Sequence, residues 1–276
     1  MPDQVTRSTQ ALRTKIVTGG FNPEPYPHKI LESALDEDFY DRLETAFPKA
    51  ETVYGNNRVV NNKAYLLGAT ETLEHRDVDP VVKSFFKNVA TPEFFRGLLT
   101  AVAPHTRKLC PGFEDRLGVR IEEGTLSLRD SGEKTDFYFD VQIGVNSPVL
   151  HRSRVRAIHV DRQVKVLNAL LYMRHRDDDV DGGNLEMYRW KGARQFEGVS
   201  VAEDQAIAMA SLTYQPNTML LFGNSLDSLH GVTPRAETKI VRRYINFLLE
   251  SREPLFDVSA YQAKPTLSRF VKKMFR

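Results

Sequence analysis

The hydrophobic pattern changes period near residue 115. Before that point apolar residues recur at helical spacing: Phe39, Leu43 and Phe47 fall four apart, with Asp36 and Asp38 ahead of them and Pro48 behind, which predicts a helix opening at Asp36. Asp79-Pro80 opens a second helix carrying Val82, Phe85 and Phe86, and Thr91-Pro92 a third carrying Phe94, Leu98 and Val102. The first twenty or so residues are polar, show no apolar period and read as a frayed arm. From Arg116 the period shortens towards two, in Gly-Val-Arg-Ile-Glu, in Thr-Leu-Ser-Leu-Arg and in the alternation of Phe137, Phe139, Val141, Ile143 and Val145. Short strands broken by Gly, Pro and Asn turns predict a mainly β protein with helical support. Its core would be a double-stranded β-helix, or jelly roll, with the N-terminal helices packed outside.

This divides the chain into a mainly helical support region at 1–115, a jelly-roll core at 116–252 and a C-terminal segment at 253–276. In that last segment Leu267, Phe270, Val271, Met274 and Phe275 share a helical face, with Arg269, Lys272, Lys273 and Arg276 on the remainder. Such a basic amphipathic helix docks on its own domain or on a second subunit, a route to a homo-oligomer. Residues 191–214 read as an excursion between two strands.

Composition narrows the class without naming it. The 276 residues are 41% hydrophobic and 27% charged, ordinary globular values, and are enough for one large β-domain with helical additions. A near balance of 38 basic and 36 acidic residues, net +2, gives no general field for polyanions, so no nucleic-acid partner is expected. The first residues lack the apolar core of a signal peptide, and no stretch approaches the roughly 20 apolar residues of a membrane span. With a single cysteine, Cys110, an intrachain disulfide is excluded, and the expectation is a soluble protein of the cytoplasm. Cys110 lies in Lys-Leu-Cys-Pro-Gly with no base beside it and reads as structural.

The chemistry is concentrated in three residues. In Arg-Ala-Ile-His-Val-Asp, His159 and Asp161 are two apart, so in extended chain both side chains leave the same face and can reach one ion. His230, in Leu-His-Gly-Val-Thr-Pro, supplies a second imidazole. Two imidazoles and one carboxylate occupying one face of a non-haem Fe(II) leave the opposite positions open. A His-x-Asp pair alone is a weak signal, and its context decides.

That context is the order of segments after the pair: Lys165 to Arg174, Asp-Gly-Gly-Asn-Leu-Glu-Met-Tyr at 181–188, Pro-Asn-Thr-Met-Leu-Leu-Phe at 216–222, His230, then Arg-Arg-Tyr-Ile-Asn-Phe at 242–247. Over roughly residues 130–250 this order resembles the iron(II)/2-oxoglutarate-dependent oxygenase superfamily, in particular its prolyl-hydroxylase-like branch, and Pro-Tyr-Pro-His-Lys-Ile at 25–30 is similar to that group as well. The resemblance implies a cupin-like jelly roll, Fe(II) held by His159, Asp161 and His230, 2-oxoglutarate as co-substrate and O2 as oxidant. It also implies hydroxylation of an unactivated C–H bond with release of succinate and CO2. Because Asp161 is retained, where halogenating relatives carry a small residue, hydroxylation, desaturation or ring closure is favoured over halogenation.

A cation is needed for the far carboxylate of the keto acid, and two adjacent arginines compete. Arg243 shares a strand face with Val241, Ile245, Phe247 and Leu249, whereas Arg242 shares one with Ile240, Tyr244, Asn246 and Leu248. Taking the wholly apolar set as the inward face selects Arg243, since a buried arginine requires an anion. Tyr172 matches by position the tyrosine that the resembled enzymes use beside the keto acid, with a core aromatic as the other reading. Asn168 lies on its face, and Leu185 is expected as a wall of the same pocket. Gly182 and Gly183 read as turn glycines. Gln142, Asn146 and Arg156 fall near the site by topology, Arg156 pointing away from His159. The run Arg174 to Asp181 reads as a solvated turn.

The leading expectation is a dioxygenase acting on a small polar metabolite, a sugar-containing intermediate or an amino-acid side chain. A peptidyl hydroxylase and a catalytically silent jelly-roll binding module are the alternatives.

Overall fold

The computed structural model describes residues 3–263. The segment proposed as a C-terminal basic helix therefore lies mostly outside the described residues, and up to residue 263 it contributes one short turn, Ser259–Tyr261.

The N-terminal part begins with α1 (Gln4–Val17), β1 (His28–Leu31), α2 (Glu37–Thr45), α3 (Ala50–Tyr54), β2 (Ala64–Leu67) and α4 (Ala69–Glu74). It ends with α5 (Pro80–Val89), α6 (Pro92–Leu109) and α7 (Phe113–Leu117). The helices foreseen at Asp36, Asp79 and Thr91 start where their caps predicted: Asp36 accepts from Phe39 N, Asp79 from Val81 N and Thr91 from Phe94 N. The frayed arm is a correction, because α1 is an ordered helix capped by Asp3, with Val5, Leu12 and Ile16 in the core. Its apolar stripe escaped detection because two of its buried positions are Ser8 and Thr9. At the contact with α6 the small residue is Gly97, where a Cβ would come within 3.3 Å of Arg13.

The remaining strands are β3 (Leu126–Leu128), β4 (Phe137–Asn146), β5 (Lys165–Tyr172), β6 (Leu185–Trp190), β7 (Ala206–Leu212), β8 (Thr218–Gly223), β9 (His230–Val232) and β10 (Arg242–Ser251). Gly-Val-Arg-Ile-Glu, expected as a strand, is a turn after α7, and the 191–214 excursion includes β7, which pairs with β6. The strands build two sheets. The larger runs β1-β8-β5-β10-β4-β2 with β3 beside β4, and the smaller runs β7-β6-β9. Leu185 and Met187 of β6 pack on Leu220 and Phe222 of β8, so the small sheet covers one half of the large one and closes a jelly roll.

The two faces of the large sheet differ. One carries Phe139, Val141, Ile143, Leu167, Ala169, Leu171, Ile245, Phe247 and Leu249 and packs against the helices. Phe95 of α6 stacks on Phe139 with ring centroids 4.7 Å apart, and Phe94 on Phe247 at 5.5 Å. This is the main hydrophobic core. The opposite face carries Gln142, Asn146, Asn168, Tyr172, Arg242, Tyr244 and Asn246, all buried. It faces the interior of the jelly roll.

Candidate active site

His159, Asp161 and His230 converge in that interior. Their ligand atoms lie within 4.8 Å of one another and all three residues are buried. His230 begins β9, and His159 pairs with it in an antiparallel bridge, exchanging backbone hydrogen bonds of 2.9 and 3.0 Å. The bridge, not a long strand, sets the two imidazoles side by side, with ring centroids 4.2 Å apart.

Each ring is oriented by a backbone carbonyl. His159 Nδ1 lies 2.8 Å from Ala157 O and His230 Nδ1 2.9 Å from Ser228 O. A carbonyl oxygen only accepts, so Nδ1 carries the proton in both rings and the lone pair sits on Nε2. Those Nε2 atoms stand 3.7 Å from Asp161 Oδ1 and 3.6 Å from Asp161 Oδ2 respectively. Burial, and then the charge of His159, push His230 down to about 3, so it is a neutral ligand at physiological pH. Burial alone would raise the Asp161 carboxyl, but Lys165, His159 and His230 together hold it well below the usual carboxylate range. Two imidazole nitrogens and an ionised carboxylate on one face are a donor set that fits a divalent first-row metal.

A second group of atoms lies on the same face of the large sheet. Arg242 is 4% exposed, its Nε donates to Gly183 O at 3.0 Å, and its Nη2 is buried without a hydrogen-bond partner. The guanidinium carbon lies 4.6 Å from the ring centre of Tyr214, 4.9 Å from Tyr172 and 5.4 Å from Tyr244. The Tyr172 hydroxyl is likewise buried and unpartnered. Burial raises the Tyr172 phenol, so it is a neutral donor. Two orphaned donors in one buried pocket are costly unless a ligand accepts from them. The pocket fits the far carboxylate of a keto acid.

The expected orientation of the arginine pair is reversed. Arg243 points to the helix side, where it pairs with Glu44 of α2 and donates from Nε to Met173 O at 3.0 Å. The wholly apolar face of β10 was taken as inward, but it is the face that packs on α6, while the mixed face of Arg242, Tyr244 and Asn246 lines the cavity. Tyr172 and Asn168 share that inner face, whereas Leu185 of β6 packs with Tyr26, Met187, Leu220 and Phe222. Asn168 Oδ1 accepts from Lys165 Nζ at 2.7 Å while its amide nitrogen is unpartnered.

Lys165, Tyr214 and Tyr244 were not anticipated. Their signal was the strand alternation that places Tyr244 beside Arg242, with Gly144 directly opposite on β4. Gly144 is required there, since a Cβ would fall 2.2 Å from the Tyr244 ring. Arg156, expected to point away, reaches back to within 3.9 Å of Asp161. The run Arg174 to Asp181 is not simply a solvated turn, since Asp178 is buried and takes two hydrogen bonds of 2.8 Å from Arg235. Gly182 and Gly183 are turn glycines with φ of +85° and +79°. Cys110 is buried, as its sequence context suggested, and its thiol is pushed up to about 12 by burial.

No protein-family model matches the chain, and no curated protein matches it. Among solved structures it is similar to a Pseudomonas putida prolyl-4-hydroxylase, at 13% identity over 90% of this chain and 100% of that one, with a TM-score of 0.42. It is also similar to a Phytophthora capsici prolyl 4-hydroxylase, at 12% identity over 99% of this chain and 72% of the other, TM-score 0.46. A Burkholderia pseudomallei oxidoreductase of the 2OG-Fe(II) oxygenase family matches at 10% identity over 89% and 91% of the two chains, TM-score 0.40. Among the described residues no helix is long and apolar enough to cross a membrane.

Proposed function

We propose that this chain is an Fe(II)/2-oxoglutarate-dependent dioxygenase that hydroxylates an unactivated C–H bond of a small polar metabolite. The observation that carries the reading is the convergence of two Nε2 lone pairs and one ionised carboxylate in a jelly roll whose same interior holds an unpaired, buried guanidinium. A binding module that merely used the triad for stability has no reason to bury a guanidinium with no carboxylate partner and an unpartnered Nη2, because a buried unpaired charge costs several kcal/mol.

His159, Asp161 and His230 would hold the metal through one face. When bound, the iron and 2-oxoglutarate supply the oxidising chemistry that converts O2 and the keto acid into a C–H oxidant, succinate and CO2. The chain's own residues bind and orient. Arg242 receives the far carboxylate, replacing an orphaned N–H with a charge-assisted hydrogen bond, and the Tyr172 hydroxyl donates beside it. Tyr172, Tyr214 and Tyr244 wall the guanidinium, and Leu185, Leu220 and Phe222 exclude water from the other side. Ala157 O and Ser228 O keep the two imidazoles in the tautomer that presents Nε2.

The test is anaerobic reconstitution followed by exposure to O2. One Fe(II) per chain and succinate release from 2-oxoglutarate are expected, with release abolished in His159→Ala and His230→Ala. Asp161→Ala keeps two ligands and should retain weak metal while losing hydroxylation. Undiminished succinate release in either histidine variant would overturn the assignment.

A further inference from the structure

The basic residues along 151–165 do not all stand in the same electrostatic position. Arg152 pairs with Asp181 at 3.0 Å, Arg154 with Glu203 at 2.8 Å, and Arg162 with Glu250. Each of these has an acid outside the triad, Arg162 sharing Glu250 with Arg129. Arg156 and Lys165 do not: among the described residues the acid within ion-pair distance of both is Asp161, 3.9 Å from Arg156 Nη2 and 3.0 Å from Lys165 Nζ. Asp161 is also the only carboxylate of the triad, and a bound metal claims its charge. Arg156 is half-exposed at the mouth, whereas the Lys165 side chain is 14% exposed and held by Asn168 Oδ1 at 2.7 Å. Both cations therefore stand beside the carboxylate of the triad, one half-exposed and one largely buried.

Charge balance gives this arrangement a consequence. With a divalent ion and the dianionic keto acid in place, Asp161 stands against Arg156, Lys165 and Arg242, and the site keeps two positive charges in excess. The other inner-face acids do not cancel them. Glu250 is matched by Arg162 and Arg129, and Asp140 is engaged by Ala69 N and Gln142. Arg174 and Arg235 around the single Asp178 add to the excess. Uncompensated charge is expensive at the largely buried Lys165 and Arg242, and complementary charge on the incoming molecule relieves it, while the half-exposed Arg156 steers its approach.

We propose that Arg156 and Lys165 form an anion subsite beside the metal face, and that the substrate is a small metabolite carrying a carboxylate or phosphate group. The anionic group is seated by these two cations and the C–H bond to be oxidised is presented to the open side of the metal. This inference rests on the dioxygenase reading and deepens it.

The experiment uses the full chain with Mn(II) in place of Fe(II) and saturating 2-oxoglutarate, whose binding is measured first. Inorganic phosphate and acetate are then titrated separately, and paramagnetic relaxation of the phosphorus-31 and carbon-13 nuclei reports how close each settles to the metal. Saturable relaxation is expected for at least one probe, phosphate alone indicating a phosphorylated substrate and acetate alone a carboxylate. Apparent affinity should fall on the order of tenfold, the effect of about 1.4 kcal/mol, in Arg156→Gln and in Lys165→Gln. Arg152→Gln, which removes the same charge from the same segment, should leave it unchanged. Should Lys165→Gln also weaken Mn(II), Arg156→Gln, which lies further from the carboxylate, decides alone. No saturable relaxation with either probe, or equal affinity in wild type and Arg156→Gln, overturns the subsite. Absence of Mn(II) or 2-oxoglutarate binding in the unsubstituted chain would instead contradict the dioxygenase reading.

Discussion

The two faces of the large sheet are made by the same strands and obey different rules. On the helix face, β4, β5 and β10 present an apolar set that interlocks with Phe94 and Phe95, and Arg243 of β10 is neutralised there by Glu44. On the cavity face the same strands present Gln142, Asn168, Tyr172, Arg242 and Asn246, and several of these keep polar atoms without partners. Unpartnered hydroxyls occur in the helical layer too, at Ser8, Thr72 and Thr106, but a buried guanidinium with no carboxylate partner beside an unpartnered phenol and amide is found on the cavity face. The contrast marks the helix face as packing core and the cavity face as the candidate site.

If that separation is real, damage to one face should leave the other's property intact. The largest expected effect on stability is Phe247→Ala, which opens a cavity against Phe94 and should cost about 3 to 5 kcal/mol. Chemical denaturation would measure it, and 2-oxoglutarate affinity per folded molecule should hold. A parallel loss of affinity would mean that the faces are coupled through β10. Gly144→Ala tests the opposite direction. Its Cβ would meet the Tyr244 ring and push it into the arginine cage, costing roughly 1 to 3 kcal/mol of stability and weakening 2-oxoglutarate as well. A change in stability without a change in affinity would show that Tyr244 is not part of the pocket. Smallest is the reactivity of Cys110, sealed under the helices with its Sγ 3.7 Å from Asn224 O and its thiol pushed up to about 12. Alkylation at pH 8 should be negligible in the native protein and complete after denaturation. Rapid native labelling would show that the helix layer opens readily.

Much of this was legible in the chain. The caps at Asp36, Asp79 and Thr91 announced their helices, and the alternation from Phe137 to Val145 announced β4, because both signals are local. The triad was legible because its meaning lies in residue type and spacing. The arginine pair was not. Alternation assigned Arg242 and Arg243 to opposite faces correctly, yet it carries no information about which face meets helices and which meets the cavity. In a sheet covered on both sides the more apolar face is the one that packs, and a site-lining face has the mixed composition of a surface. Arg156 and α1 escaped for a related reason. The first lies in an irregular segment where alternation does not hold, and the second replaces part of its apolar stripe with Ser8 and Thr9.

Which face of the sheet is the site is tested most directly by anaerobic titration of 2-oxoglutarate into the metal-loaded Arg242→Gln and Arg243→Gln variants, side by side. Loss of a buried charge-assisted pair costs about 3 to 5 kcal/mol, or roughly two to three and a half decades in binding. That loss is predicted for Arg242→Gln with the metal still bound. Arg243→Gln should leave the affinity near that of the unsubstituted chain and lower the thermal midpoint instead, because Glu44 loses its partner. Strong loss of affinity in Arg243→Gln with little change in Arg242→Gln would contradict the assignment of the cavity face.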